Sequence, residues 1–173
     1  MTLFSKHIKD TGVVFSINSD EVERLFENKR GIELRKNYPK LYRNFTGYIY
    51  CTKKGKYKDV EKGKVVGEFR VAGVRALRNK QDYLRLSKIS HYTVDQIAEY
   101  AEGSIVYALQ VEDVIKYDRG IPVTDFQRPC DENGCAECEL NRRVCRAQLS
   151  RPPQSWCYVN KIGVSPKSKV VSG

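Results

Sequence analysis

Apolar residues recur along this chain with two periods, and the changes of period mark out its elements. Residues 13–17 are a short apolar run that predicts a strand. Asn18 or Ser19 then caps a helix, with Glu21 placed to close a capping box from Asn18. Val22, Leu25 and Phe26 fall at i, i+3 and i+4 on one face of that helix, and Gly31 is expected to end it. Residues 32–36 alternate apolar Ile32 and Leu34 with charged Glu33 and Arg35, the period of a half-buried strand. Tyr38-Pro39 breaks that strand, and residues 46–52 resume with β-branched and aromatic side chains. Tyr48, Tyr50 and Thr52 share one face there, and Gly47, Ile49 and Cys51 the other.

Residues 53–64 carry six lysines against Asp59 and Glu61 and read as an exposed loop. Residues 65–74 make a strand, with Val65, Phe69 and Val71 on one side and Val66, Glu68 and Arg70 on the other. A loop with a short helix around residues 82–86 follows. Thr93 caps a further helix with Gln96 at the capping-box position, an apolar stripe of Val94, Ile97, Ala98 and Ala101, and Gly103 at its end. Residues 105–111 alternate as a strand that runs on toward Tyr117, residues 121–126 suggest a short edge segment, and residues 155–159 a last strand reaching toward Val164. With no regular βαβ alternation, the expected class is α+β: a small, mostly antiparallel β-barrel with two or three flanking helices.

The chain has 173 residues, enough for one domain with a sizeable core. The expected organisation is one domain formed by residues 1–128 plus 147–166, a cysteine-rich insert at 129–146, and a frayed tail at 167–173. No apolar run is long enough to span a bilayer and the first residues lack a secretory core, so a cytoplasmic protein without membrane contact is expected.

Charge changes the picture more than composition does. The net charge is +10, and all of the excess sits in residues 1–80, which hold 19 basic and 9 acidic side chains; residues 81–173 hold 12 of each. A field so lopsided steers polyanions. The densest stretch runs through residues 29–52, where Arg30, Arg35, Lys36, Lys40 and Arg43 interleave with Tyr38, Tyr42, Tyr48 and Tyr50. Cations track phosphates and flat rings stack on bases, so the mixture reads as a surface for nucleic acid or nucleotide, extended by Lys53, Lys54 and Lys56. It equally fits a solvated β-hairpin face with half-buried tyrosines.

Four of the six cysteines are clustered as Cys130-x4-Cys135-x2-Cys138-x6-Cys145. Four thiolates surround Zn²⁺ tetrahedrally and leave no open position, which predicts a structural zinc knuckle. The polar segment around them has few apolar side chains to fold on, so a metal would supply its order. The same ligands suit an iron–sulfur cluster, and free surface thiols or a disulfide pair are the plainer alternative. Cys51 and Cys157 each sit inside an apolar strand and read as small buried hydrophobes.

The segments FSIN, KRGIELRK, YIYCT and KGKVVGEFRV, in that order, then YALQVEDVIKYDRGIPVTDFQRPC and RPPQSWCYV, resemble the ASCH-type domains of the PUA-like superfamily. The nearest likeness is to phage-encoded members with a cysteine-rich insert before the RPPQSW segment. The resemblance implies a PUA-like β-barrel and a cleft that takes RNA or modified nucleosides. Some members of the family resemble amidohydrolases acting on N4-acetylcytidine through a Lys, a Thr and a Glu, and others ribonucleases. Where that family has KTxTxR, this chain has Arg30, Gly31 and Glu33 before Arg35, with Lys29 one residue earlier. Arg keeps its proton at neutral pH and is no general base, which leaves Lys29, Glu33 and Glu68 as the candidate catalytic groups.

In such a cleft Trp156 stacks on a base while Gln154 and Ser155 read its polar edge, beside Tyr48, Tyr50 and Thr52. Trp156 is alternatively the core anchor of the last strand. Three functions follow from these readings: binding of nucleic acid, RNA favoured, or of a nucleoside; hydrolysis of RNA or an acylated nucleoside; and binding to a host protein.

Overall fold

The computed structural model describes residues 11–41, 44–129 and 148–162. They form an α+β domain of six strands and three α-helices. In chain order these are β1 (Thr11–Ile17), α1 (Ser19–Asn28), β2 (Gly31–Arg35), β3 (Phe45–Cys51), β4 (Val65–Leu77), α2 (Lys80–Ser87), α3 (Val94–Ala101), β5 (Val106–Ile121) and β6 (Trp156–Asn160). A 3₁₀ turn, Val123–Asp125, stands where a short edge segment was expected. One sheet holds all the strands in the order β2-β5-β4-β3-β1-β6. Its pairs are antiparallel except β1 with β3.

Local signals set these elements. The Asn18 side chain accepts hydrogen bonds from the backbone N–H groups of Asp20 and Glu21 and starts α1. Glu21 does not close the box; its carboxylate turns to Arg24 and His91 instead. Lys29, not Gly31, ends the helix: it adopts φ 57° and its N–H bonds to the Leu25 carbonyl, which frees Gly31 to begin β2. Thr93 and Gln96 form the full capping box of α3.

Two expectations are corrected. β2 and β3 are not a hairpin, because β5 and β4 lie between them. The long β5 takes β2 as its partner through Gly31↔Val111 to Arg35↔Tyr107. The barrel is also not closed by a backbone ladder. The sheet curls until β2 and its following segment approach β6, and side chains make the join: Trp156 Nε1 donates to Asn37 Oδ1 at 2.8 Å and the Lys40 N–H donates to the Tyr158 hydroxyl at 2.9 Å. Pro39 after β2 and Pro152-Pro153 before β6 have no N–H to give to a ladder.

Opposite faces of the sheet bury separate clusters. Phe15, Ile49, Phe69 and Leu109 pack inside the curl with Val22, Leu25 and Phe26 of α1. Tyr48, Tyr50, Tyr117 and Phe126 form a second cluster with Val159. Leu34, Leu86, Ile97 and Val106 form a third cluster, which docks α2 and α3. The expected zinc knuckle at Cys130, Cys135, Cys138 and Cys145 lies outside the described residues.

Close approach of β3 to the Phe69 ring explains Gly47. A Cβ there would lie 2.3 Å from Phe69 Cε2, and that ring is buried. Gly47→Ala is therefore expected to lower the unfolding free energy by about 1–3 kcal/mol, the usual overpacking cost, with the midpoint of urea unfolding as the readout. An unchanged midpoint would show that the ring has room to move.

Candidate functional site

A cleft of about 680 Å³ opens between the start of α1, the end of β2 and the turn leading into α3. Its floor is polar and buried. Glu33 and Arg35, two residues apart on one face of β2, are each 7% exposed and meet at 2.8 Å. Arg35 is held on three further sides. It donates to the Ser155 carbonyl at 3.2 Å, to Ser155 Oγ at 3.1 Å and to the Ser16 carbonyl at 2.9 Å. Its guanidinium lies 5.5 Å from the centre of the Phe15 ring. Its Nε is buried and finds no acceptor among the described residues. Burial pushes the Glu33 carboxyl up from its ordinary 4.5; the Arg35 guanidinium opposes that rise and Glu21 adds to it.

The walls carry rings and charges. Tyr92 and Tyr100 line one side, and burial, with Glu33 and Glu21 nearby, pushes the Tyr92 hydroxyl well up. The His91 ring lies 4.0 Å from the Tyr92 ring, and its Nε2 is 3.1 Å from a Glu21 carboxylate oxygen. The Tyr100 hydroxyl donates to the Leu34 carbonyl at 3.3 Å, and Lys36 sits 5.8 Å above the Tyr100 ring while pairing with Glu102.

At the mouth stand Arg24 and Lys54. Lys54 is fixed by its backbone. Its carbonyl accepts from Ser19 N–H at 3.0 Å, and Asp20 accepts from the N–H groups of Lys56 and Tyr57 at 2.7 and 3.0 Å. Those two bonds lower the Asp20 pKa. Gly55, at φ +98°, lets the loop press against α1; a Cβ there would meet Ser19 Oγ at 2.4 Å.

The cleft gathers part of what the sequence nominated. Glu33, Arg35 and Lys54 line it, and Ser155 reaches it through Arg35. Lys53 and Lys56 are exposed on the same loop as Lys54. Lys36 stands beside Tyr100, and Lys40 is exposed near β6. Arg30 lies in a neighbouring groove. Arg43 lies outside the described residues.

Other nominated residues are elsewhere. Tyr48 and Tyr50 are 2% and 8% exposed and belong to the core on the other face, because strand alternation turns them away from Ile49 and Cys51. Glu68 is with them, accepting from the Tyr117 hydroxyl at 2.5 Å. Lys29 is exposed at the end of α1 and does not line the cleft. Lys29, Glu33 and Glu68 therefore do not converge. Thr52 is half-buried against β1, its N–H bonded to the Ile17 carbonyl. Trp156 packs edge-on against Tyr158 and partly covers the core, and Gln154 is exposed. Burial pushes the Cys51 thiol up to about 11, as befits a small buried hydrophobe. Arg24, His91, Tyr92 and Tyr100 line the cleft although no sequence motif nominates them for it; only the HYT stretch before α3, a ring pair beside a cap, points there.

A curled, mixed six-stranded sheet with three helices and a cleft floored by a buried carboxylate–guanidinium pair defines the class of domain. That fold is shared with an ASCH protein from Zymomonas mobilis, at 18% identity and a TM-score of 0.60, over 87% of this chain and 88% of that one. A mutant form of the same protein aligns at 17% identity with the same TM-score, over 87% of this chain and 91% of that one. The chain thus has an ASCH-type fold. No family model matches the sequence, and no curated protein matches it. Among the described residues no helix is long and apolar enough to cross a membrane, and no three His, Cys, Asp or Glu side chains are grouped to hold a metal.

The Glu33 carboxyl gives a pH test. A raised folded-state pKa means that the folded protein holds this proton more tightly than the unfolded chain. The stabilisation it brings is fully present below the unfolded value near 4.5 and is lost as pH rises through the folded one. The wild-type unfolding free energy minus that of Glu33→Gln is therefore expected to fall as pH rises above about 4.5, in urea titrations run across the series. A difference that grows with pH would show that Arg35 holds the carboxylate ionised.

Proposed function

We propose that this domain binds nucleic acid, with RNA as the preferred ligand, and that the cleft takes one nucleotide unit. The observation that carries the reading is the buried Glu33–Arg35 pair in a cleft that Tyr92 and Tyr100 line on one side and to which Arg24 and Lys54 contribute. The rings of Tyr92 and Tyr100 line the cleft and offer aromatic surface to a base that enters it. At the floor Glu33 offers a carboxyl to a base edge beside the Arg35 guanidinium. Arg24 and Lys54 stand where the attached phosphate would pass, with Lys53 and Lys56 on the same loop. The ASCH-type fold supports RNA as the ligand class. The separation of Lys29 and Glu68 from Glu33 favours binding over hydrolysis, since acid–base work needs its groups within hydrogen-bond reach of one substrate.

Tyr100→Ala is expected to weaken binding of a labelled single-stranded RNA by about 5- to 150-fold, the worth of one stacked base. Arg24→Gln with Lys54→Gln is expected to make the plot of log affinity against log salt shallower by about 1.4, at about 0.7 per phosphate contact. Fluorescence anisotropy over a salt series reads both. Wild-type affinity that Tyr100→Ala leaves unchanged would remove the cleft from the interaction.

We further propose that Cys130, Cys135, Cys138 and Cys145 hold a structural Zn²⁺, a reading supported by their number and spacing. Elemental analysis of the purified protein is expected to find about one zinc per chain, displaced by a chelator. Four thiols titrating freely in the untreated protein would refute it.

A further inference from the structure

A second concavity, of about 890 Å³, lies beside the cleft along the outer side of β2, β5 and β4, under the turn that follows α2. Arg30, Arg75 and Lys88 line it. All three are exposed, and none has an ion-pair partner among the described residues. The one acid on its wall, Glu112, is already paired with Arg70 at 2.6 Å. The groove therefore carries uncompensated positive charge. Its floor is low where Gly73 stands at a bulge of β4, with the nearest atom to a would-be Cβ at 3.7 Å. His91 lines both this groove and the cleft, so the two meet at that residue.

We infer that the groove carries the phosphodiester backbone of the nucleotides flanking the one in the cleft, so that the ligand is a single-stranded polynucleotide and not a free nucleoside. The inference rests on the cleft reading proposed above and extends it. Charge selects the occupant: three cations without ion-pair partners among the described residues, in one groove, suit a run of phosphates better than a neutral or apolar ligand. Continuity selects its form, because a strand leaving the cleft past His91 enters this groove directly. A splayed base in the cleft requires an unpaired strand, which excludes a continuous duplex.

The test compares two labelled probes, a mononucleotide and a single-stranded RNA of about 12 nucleotides, a length within single-strand site sizes. They are titrated against the wild type and against a variant carrying Arg30→Gln, Arg75→Gln and Lys88→Gln. The variant is expected to lose about tenfold or more in affinity for the RNA, with a salt slope shallower by about 2, from three contacts at about 0.7 each. Its affinity for the mononucleotide is expected to stay at the wild-type value. An unchanged RNA slope, or equal weakening of both probes, overturns the groove. Tyr100→Ala separates the two readings: if it leaves both probes unaffected while the triple variant weakens the RNA, the cleft reading fails and the groove stands. Wild-type protein that binds neither probe overturns both. The substituted side chains are exposed, and circular dichroism checks the fold; if the triple variant does not fold, Lys88→Gln alone is expected to shift the slope by about 0.7, and no shift overturns the groove.

Discussion

One guanidinium holds the two ends of this sheet together. Arg35 sits at the last position of edge strand β2, yet three of its hydrogen bonds go to the opposite margin: to the Ser16 carbonyl on β1 and to Ser155, which leads into β6. No β2–β6 ladder exists among the described strands, so the curl depends on side chains. Arg suits the task because its planar fork sends several fixed donors in different directions from one buried charge, which a Lys ammonium does not do. Phe15 beneath the guanidinium covers one face of the fork. Asn37 with Trp156 and Lys40 with Tyr158 continue the same seam outward.

A buried cation requires a counter-charge, and Glu33 is the one supplied. Burying both ions carries a desolvation cost that an apolar pair would avoid, and removing one partner alone typically costs about 3–5 kcal/mol. Stability alone is thus a weak reason for such a pair at the bottom of a cleft. A floor able to donate and accept hydrogen bonds, shielded from bulk water, is a better one, because polar recognition gains strength where the local dielectric is low. The rings of Tyr92 and Tyr100, with Arg24 and Lys54, line the same cleft and supply the other contacts on which the proposed binding of base and phosphate rests.

Local chemistry was legible in the sequence wherever short-range rules decide. The Asn18 and Thr93 caps and the lysine-rich loop stand as their residues indicate, whereas the half-buried alternation expected of β2 does not hold: Glu33 and Arg35 are as buried as Leu34. What the sequence obscured was pairing. β2 and β3 are adjacent in the chain and both alternate, which suggested a hairpin, but the sixteen-residue β5 reaches back to claim β2. That one non-local choice carried the tyrosines of β3 away from Glu33 and Arg35 and put Tyr48 and Tyr50 into a core with Phe126. The rings that reach the cleft come instead from the α2–α3 turn and from α3, where nothing periodic announces them. The Glu33–Arg35 pairing itself was readable, because residues i and i+2 of a strand share a face.

The same strand that closes the fold also joins its two concavities. β2 presents Glu33 and Arg35 to the cleft and, by alternation, Ile32 to the groove, whose rim carries Arg30 just ahead of the strand. The helix before it ends at Lys29 in the left-handed region, so the chain turns sharply and Arg30 projects at the groove. Ligand contact on either side therefore bears on one five-residue strand held between β5 and the Arg35 seam. A strand fixed on both margins yields little when it is loaded, which suits the single-stranded ligand proposed for the two concavities.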